Sequence, residues 1–515
     1  MTEDRPRTAW RIAMVGALLL VHLGVWAQPP KPGGTLRVAW QANVPGLDPH
    51  GAASAPALRV LGNLFNSLLT LDAELNAVPD LAESWEIRER GRVHMFHLRK
   101  GVKFHDGTDF DAEAVRWNYR RLIPLEAEVL LAPTRRLIEA VDALDAHTVR
   151  FSLTQPSRNL LPVMAAFYTR VVQMSPAAYQ RWGAQEARWH PVGTGPFRLA
   201  RWEPGHLLVF EKNPHYFKPG LPYLDRIEWR IIPAAVTRVT ALRAGEVDVA
   251  NAVPRAHVAR LANDSQMQVF WGLETRAIHS LFNLRKAAFQ DARVRRALLG
   301  YGIDRQAIAK MALLGLAQPL WSFVPPGSPG HVDFAARFPY APEQAKALLA
   351  EVGYDVKHPL RYTLMIPSAE PLLATVGTIM KTQYAQLGVE VTVQVLDRSR
   401  FLRRLTRDRD WDQLLQISGE PFDLEAAVRL IDTRAGNNTP NHQDGQVNAL
   451  IDRLREADTA EAYRQAGHDL QRYMTEHMLY QSVTTLPFIQ AARAYVKGYT
   501  GRNQSRFETT WFDKP

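Results

Sequence analysis

The chain contains no cysteine. That excludes disulfides, thiolate metal sites, iron–sulfur clusters and a cysteine nucleophile, and it leaves no thiol to carry an N-terminal lipid. The short motifs of familiar catalysis are missing too. There is no GxSxG elbow, no HExxH pair, no P-loop and no dinucleotide fingerprint. Beyond the N-terminus, no apolar run reaches the ~20 residues that a membrane-spanning helix needs. No internal repeat is evident.

What is present describes an ordinary globular chain. At 515 residues it exceeds one hydrophobic core, so two or three domains are expected. The hydrophobic fraction of 46% and charged fraction of 22% are typical of soluble proteins. Lys and Arg outnumber Asp and Glu by 62 to 52, a formal charge of +10. Most basic residues are scattered, but Arg398, Arg400, Arg403, Arg404, Arg407 and Arg409 are dense. They interleave with Phe401, Leu402 and Leu405 at helical spacing, which predicts the solvated face of an amphipathic helix rather than a nucleic-acid patch.

The N-terminus has the pattern of a secretory signal. Arg5, Arg7 and Arg11 form a basic region, and Ile12 to Trp26 carries no charge. Val25-Trp26-Ala27 sets a cleavage site before Gln28. An uncleaved anchor is the alternative. Arg5 and Arg7 are not adjacent, so a twin-arginine signal is not supported. Pro29 to Gly34 reads as an unstructured lead.

Strand patterns alternate with helical ones. Thr35–Trp40, Val93–Leu98, Thr148–Leu153, His206–Glu211, Leu224–Ile232, Val247–Val249, Leu360–Ile366 and Val389–Val395 read as strands. Helices are predicted over Ala57–Leu71, Asp111–Leu122, Val236–Gly245, Asp291–Gly300 and Leu372–Leu387, with another starting at Pro342. Asp111 suits an N-cap and Gly245 a C-terminal stop. The alternation implies an α/β fold.

Few residues point to chemistry. His94 and His97 are three apart on a predicted strand, so they face opposite sides and do not form a metal cluster with His105. Gly193-Thr194-Gly195-Pro196 lacks the lysine and following helix of a phosphate loop, and reads as a tight turn. Thirteen tryptophans offer flat surfaces for a ligand cavity, though most are expected in the core. No metal, cofactor or catalytic residue is expected.

Several blocks together resemble one family. They are GGTLRVAWQANVPGLDPH (33–50), NLFNSLLTLDAELNAVPDLAESWEI (63–87), FHLRKGVKFHDG (96–107), VGTGPF (192–197), the stretch 222–250, FNLRKAAFQDARVRRALLGYGIDRQAI (282–308) and YAQLGVEVTV (384–393). In this order they are similar to the family-5 extracytoplasmic solute-binding proteins of peptide/nickel-type ABC importers. Members of that family bind peptides, glutathione, nickel chelates, opines or oligosaccharides. The resemblance implies a class II periplasmic binding fold: two α/β lobes, an extra subdomain in the first, and a ligand cleft between. It implies a signal peptide at 1–27, lobe I at 28–274 with a subdomain at about 51–190, lobe II at 275–485, and 486–515 returning to lobe I. The hinge falls near 275–282 and 482–486.

The implied activity is binding, not catalysis: a monomeric periplasmic receptor, not a lipoprotein, that hands a peptide or similar organic solute to an inner-membrane permease. A receptor for an oligosaccharide or metal chelate, or a secreted hydrolase, are the alternatives. Peptide-binding relatives pair the ligand ammonium with an aspartate in a Gly-Asp-Tyr-x-Asp-Pro-like stretch. Here the matching stretch is Ser418-Gly419-Glu420-Pro421-Phe422-Asp423, which nominates Glu420 and Asp423. A rim or helix-entry role is the other reading of Glu420. Dipeptide-binding relatives carry a carboxylate-gripping arginine where this chain has Pro367-Ser368-Ala369-Glu370. Trp40, Gln41 and Asn43 after the first strand, and Trp321 and Phe323 before Pro325, are nominated as cleft residues.

Overall fold

In a computed structural model of the protein, residues 29–514 are described apart from 52–54, 73–75, 123–136, 158–159, 166–171, 329, 420–423, 425–427, 429, 435–437, 458 and 502–505. Strand β1 (Thr35–Trp40) comes first. Strands β2 (Leu69–Leu71) and β3 (Ala77–Pro79) pair with each other. Strands β4 (Ala82–Arg88), β5 (Val93–Leu98), β6 (Ile138–Asp145) and β7 (Thr148–Leu153) form a separate antiparallel sheet ordered β4-β5-β7-β6. Next come β8 (Phe197–Glu203), β9 (Leu207–Lys212), β10 (Arg226–Ile231), β11 (Val249–Ala250), β12 (Met267–Phe282), β13 (Arg361–Pro367), β14 (Glu390–Leu396), β15 (Gln413–Gly419) and β16 (Gln481–Arg493). These nine join β1 in a ten-stranded sheet ordered β14-β13-β15-β12-β16-β11-β1-β10-β9-β8. Strands β17 (Val496–Lys497) and β18 (Trp511–Phe512) close the chain as a pair.

The large sheet is two sheets joined through two long strands. Around β1, β10 and β11 the core holds Leu36, Val38, Trp229 and Val249, with Leu242 and Val258 on the other face. Around β13 and β15 a different core holds Leu364, Ile366, Tyr384 and Leu415, with Trp411, Leu414 and Leu450 opposite. Strands β12 and β16 serve both halves. Met267–Leu273 lies opposite Pro487–Arg493 on the first side, and Ala277–Ser280 lies opposite Gln481–Thr485 on the second. The register shifts between Leu273 and Ala277. A break in the ladder frees backbone from its partner and is where a sheet can bend.

Local signals place most elements. The Asp111 carboxylate accepts from the Ala114 N–H at 2.8 Å and caps helix Ala112–Leu122. Gly245 ends helix Ala235–Ala244 at φ 76°, a conformation that favours glycine. Pro342 opens helix Pro342–Ala350. The helix expected over Ala57–Leu71 is a correction: it spans Ala55–Leu61. Its downstream carbonyls turn elsewhere. The Asn63 carbonyl accepts from Phe197 N–H at 3.0 Å, and the Leu64 carbonyl from Gly195 N–H at 2.9 Å. Leu64, Phe65 and Leu68 are buried as expected, but by tertiary packing rather than on one helical face.

That contact ties together two of the blocks that stand out in the sequence. A Cβ on Gly193 would lie 2.2 Å from the Leu64 carbonyl oxygen, and one on Gly195 would lie 2.3 Å from the Leu64 carbonyl carbon. Only glycine allows this approach. From the other side His105 N–H donates to the Gly193 carbonyl at 2.9 Å. Its ring Nδ1 accepts from Gly193 N–H at 3.3 Å, and Nε2 donates to the Gly195 carbonyl at 3.0 Å. The expected tight turn is thus a docking point for the His105-Asp106-Gly107 turn. Burial pushes the His105 imidazole down to about 4, so it stays neutral, as one donating and one accepting nitrogen require.

Candidate functional site

The registers decide where a ligand would sit. Strand β11 runs parallel to β1 and antiparallel to β16, with Val249 opposite Ala492 and Ala250 opposite Ala491. Its C-terminal end therefore points toward Pro487 and the break in the ladder. The same holds for β1 and for β10, parallel to it. From the other half, β15 is antiparallel to β12, and its last residue, Gly419, lies opposite Arg276 at the break. Strand β13 is parallel to β15 and points the same way. Two sets of parallel-strand C-termini thus converge on residues 274–276 and 486. In open α/β sheets such ends are where ligands bind.

The two sets are finished differently. In the first half, Arg238 is buried, and burial lowers its pKa. Its guanidinium donates to the carbonyls of Ile232 (2.7 Å), Pro233 (2.8 Å), Asn251 (3.0 Å) and Ala252 (3.0 Å). These carbonyls end β10 and β11, so one side chain locks both strand ends. In the second half, Arg276 and Glu370 face each other at 3.8 Å with side chains 48% and 42% exposed. Glu370 precedes helix Pro371–Gln386, just after β13. This pair keeps both charges in contact with solvent. Nearby on β16, the ring of half-buried Phe488 lies 3.8 Å beneath the Arg59 guanidinium.

The nominated residues fall in several places. Trp40 is buried at the end of β1, its ring 4.7 Å from that of Trp229. Gln41 follows it and is exposed. Asn43 is exposed, but its Oδ1 accepts from Val44 N–H at 2.9 Å and Gly205 N–H at 3.0 Å, fixing the loop to the β8–β9 turn. Phe323 is buried against Tyr480. Trp321 is half-buried; its Nε1 donates to the Phe338 carbonyl at 3.2 Å, and the Arg305 guanidinium lies 5.2 Å from its ring. Glu420 and Asp423 lie outside the described residues. Gly419, one residue before Glu420, is at the break. Trp40 and Gln41 share that convergence through β1, whereas Trp321 and Phe323 pack against the two cores of the second half.

Reading the sequence missed Arg238, Arg276 and Glu370. Glu370 drew notice only because no basic residue stands near it; no spacing connects it to Arg276, and the link comes from the sheet. The histidines behave as expected. His94 is buried and bonded to the Gly91 and Ser157 carbonyls, while His97 on the opposite face meets Glu86 at 3.1 Å. Among the described residues no group of three His, Cys, Asp or Glu is placed to hold a metal ion, and no helix is long and apolar enough to cross a membrane.

Comparison with known proteins agrees with this architecture. The family described as bacterial extracellular solute-binding proteins, family 5 middle, matches residues 76–438. The glutathione-binding protein GsiB of Escherichia coli O1:K1 / APEC is 31% identical over 360 residues, 70% of this chain and 69% of that protein. Among solved structures, the ABC transporter-associated periplasmic binding protein DppA of Helicobacter pylori, in complex with the peptide STSA, superposes with a TM-score of 0.75 at 22% identity, covering 94% of this chain and 99% of that one. The binding protein AgaA of A. tumefacien R10, in complex with agropinic acid, superposes with a TM-score of 0.72 at 25% identity over 94% and 99%. The fold is that of the two-lobed binding proteins, and the chain belongs to the bacterial extracellular solute-binding proteins of family 5.

Proposed function

We propose that this protein is the periplasmic receptor of an ABC importer, taking a peptide or similar small organic solute between its lobes and delivering it to an inner-membrane permease. The observation that carries this reading is the convergence of two sets of strand C-termini on one break in β12 and β16. The relatives' ligands, glutathione, a peptide and agropinic acid, are all small solutes with several polar groups. On this reading the break is the hinge, residues 28–274 and 275–485 are the lobes, about 51–190 form a subdomain of the first, and 486–515 return to it. Residues 1–27 are a cleaved signal, and the mature chain is a monomer without a lipid anchor. The protein binds and does no chemistry.

Ligand can close the lobes only by binding the closed form better than the open one. Glu420 and Asp423, continuing from Gly419 at the break, supply the negative charge for a ligand ammonium. Gln41 and Trp321 contribute to the two walls, and Trp40, Asn43 and Phe323 hold those walls in place. The test begins with mass spectrometry of the solute released from purified protein by denaturation. That solute, rebound in calorimetry, is expected to lose more than ~1.5 kcal/mol of affinity with Glu420→Gln, as for a hydrogen bond to a charged group. Full affinity in the variant would remove Glu420 from the site. Turnover of the released solute would overturn the receptor reading itself.

A further inference from the structure

Along β16 the side chains alternate between two cores. Ala492 belongs to the core around β1, while Ile489 and Ala491 belong to the core on the other face of the sheet. Phe488 and Gln490 therefore face the first core. The Tyr499 hydroxyl, from that core, donates to the Gln490 side-chain oxygen. Phe488 is three residues nearer the break than Ala491, which lies opposite Ala250 at the end of β11. It is thus past the end of that strand, at the edge of the cleft, and half-buried.

Above this ring stands Arg59. It lies in the last turn of helix Ala55–Leu61, whose Ala57, Val60 and Leu61 are buried in the same core. The helix covers this face of the sheet and carries Arg59 to its cleft end. The guanidinium carbon is 3.8 Å from the centroid of the Phe488 ring, and Arg59 is half-buried. Other arginines of the core are held through their N–H groups. Arg305 donates to the carbonyls of Leu299 (2.8 Å), Leu320 (3.1 Å) and Ser482 (3.2 Å), and Arg37 pairs with Asp248 at 2.9 Å. A ring instead holds a guanidinium by its face. The five N–H donors lie in the plane, more than one partner can fill.

From this placement of a ring-backed guanidinium at the strand ends, we infer that Arg59 is a ligand-binding residue and that the solute it receives carries a carboxylate. Resting on the receptor reading above, this role gives the solute a chemical class. A carboxylate matches one guanidinium edge through a pair of parallel N–H···O bonds. A phosphate dianion would call for a second cation, and Arg276 across the break already meets Glu370. Phe488 limits the motion of the guanidinium, so less freedom is lost when the solute arrives. Partial burial makes the pair stronger than it would be in open water.

The test uses the purified protein and the solute released from it by denaturation, offered back as the free acid and as the methyl ester formed in acidic methanol. Where the protein carries no solute, tri-alanine and its C-terminal amide are the probe pair. In calorimetry the wild type is expected to bind the free acid at least about tenfold more tightly than the blocked form. In Arg59→Met, which keeps an apolar stem over Phe488, that ratio is expected to fall to about one. Arg59→Lys, which keeps the charge without the fork, is expected to retain part of it. An undiminished ratio in Arg59→Met would overturn the inference, as would a wild type that binds both forms alike or neither. Equal loss in both variants, with lowered urea midpoints, would make Arg59 a brace for β16 and overturn it too. A released solute with no carboxyl would do the same and leave the receptor reading standing, whereas turnover of the probe would overturn that reading and leave the ratio to be judged as before.

Discussion

Arg238 and Arg276 stand at equivalent ends of the two half-sheets, and they are used in opposite ways. Arg238 is buried and donates four of its five N–H groups to four backbone carbonyls. Arg276 is half-exposed and meets an equally exposed glutamate at 3.8 Å. One end of the cleft is therefore a fixed platform, and the other presents charges that a solute can reach. The contrast predicts a split between stability and binding. Arg238→Met is expected to destabilise by about 4 kcal/mol, because it strands several buried carbonyls and removes charged hydrogen bonds. The readout is a lower urea midpoint with an unchanged slope. A shift below about 1 kcal/mol would mean that the strand ends hold without it, and the contrast would fail.

The fixed character of the first half extends to the turn that docks on Gly193 and Gly195, and pH can probe it. His105 has an ordinary value of 6.5 but is pushed down to about 4 by burial. Between these values the unfolded chain binds a proton that the folded protein does not, so stability rises with pH and is lost as pH falls from 6.5 toward 4. The loss is on the order of 3 kcal/mol. His50, buried against Arg121 and also pushed down to about 4, adds in the same direction. Urea denaturation across this range is expected to show the loss in the wild type and a clearly smaller slope in His105→Gln. An unchanged slope would place the acid sensitivity elsewhere.

What could be read from the sequence follows the same division. Elements set by nearby residues were legible: the caps Asp111 and Gly245 and the proline start at 342 depend on atoms within one turn. So was the tight turn at 193–196, because glycines at those positions have few other uses. The helix over Ala57–Leu71 overran, since Leu64, Phe65 and Leu68 have helical spacing yet are buried by a distant turn. Strands β12, β15 and β16 did not stand out. Residues 277–282 are buried on both faces, so no alternation survives to mark them. Arg238 looks like any helix arginine, because its four acceptors come from two loops. Glu420 is nominated only by its family position and lies outside the described residues, while the charges of Arg276 and Glu370 meet only through the fold.

That pair gives the smallest effect on stability and the sharpest test of the comparison. Arg276→Gln and Glu370→Gln are each expected to change unfolding by less than about 1 kcal/mol, as for exposed ion pairs. Their effects on affinity for the released solute are expected to carry opposite signs. Where the solute presents a carboxylate, Arg276→Gln weakens binding by about tenfold, and Glu370→Gln strengthens it by removing a competitor for the guanidinium. Where it presents an ammonium near Glu370, the signs exchange. Calorimetry on the two variants thus reads the charge of the ligand group at this end of the cleft. Losses of equal size and sign would make the pair a structural brace like Arg238, and silence in both would show that the solute stops short of the second half-sheet.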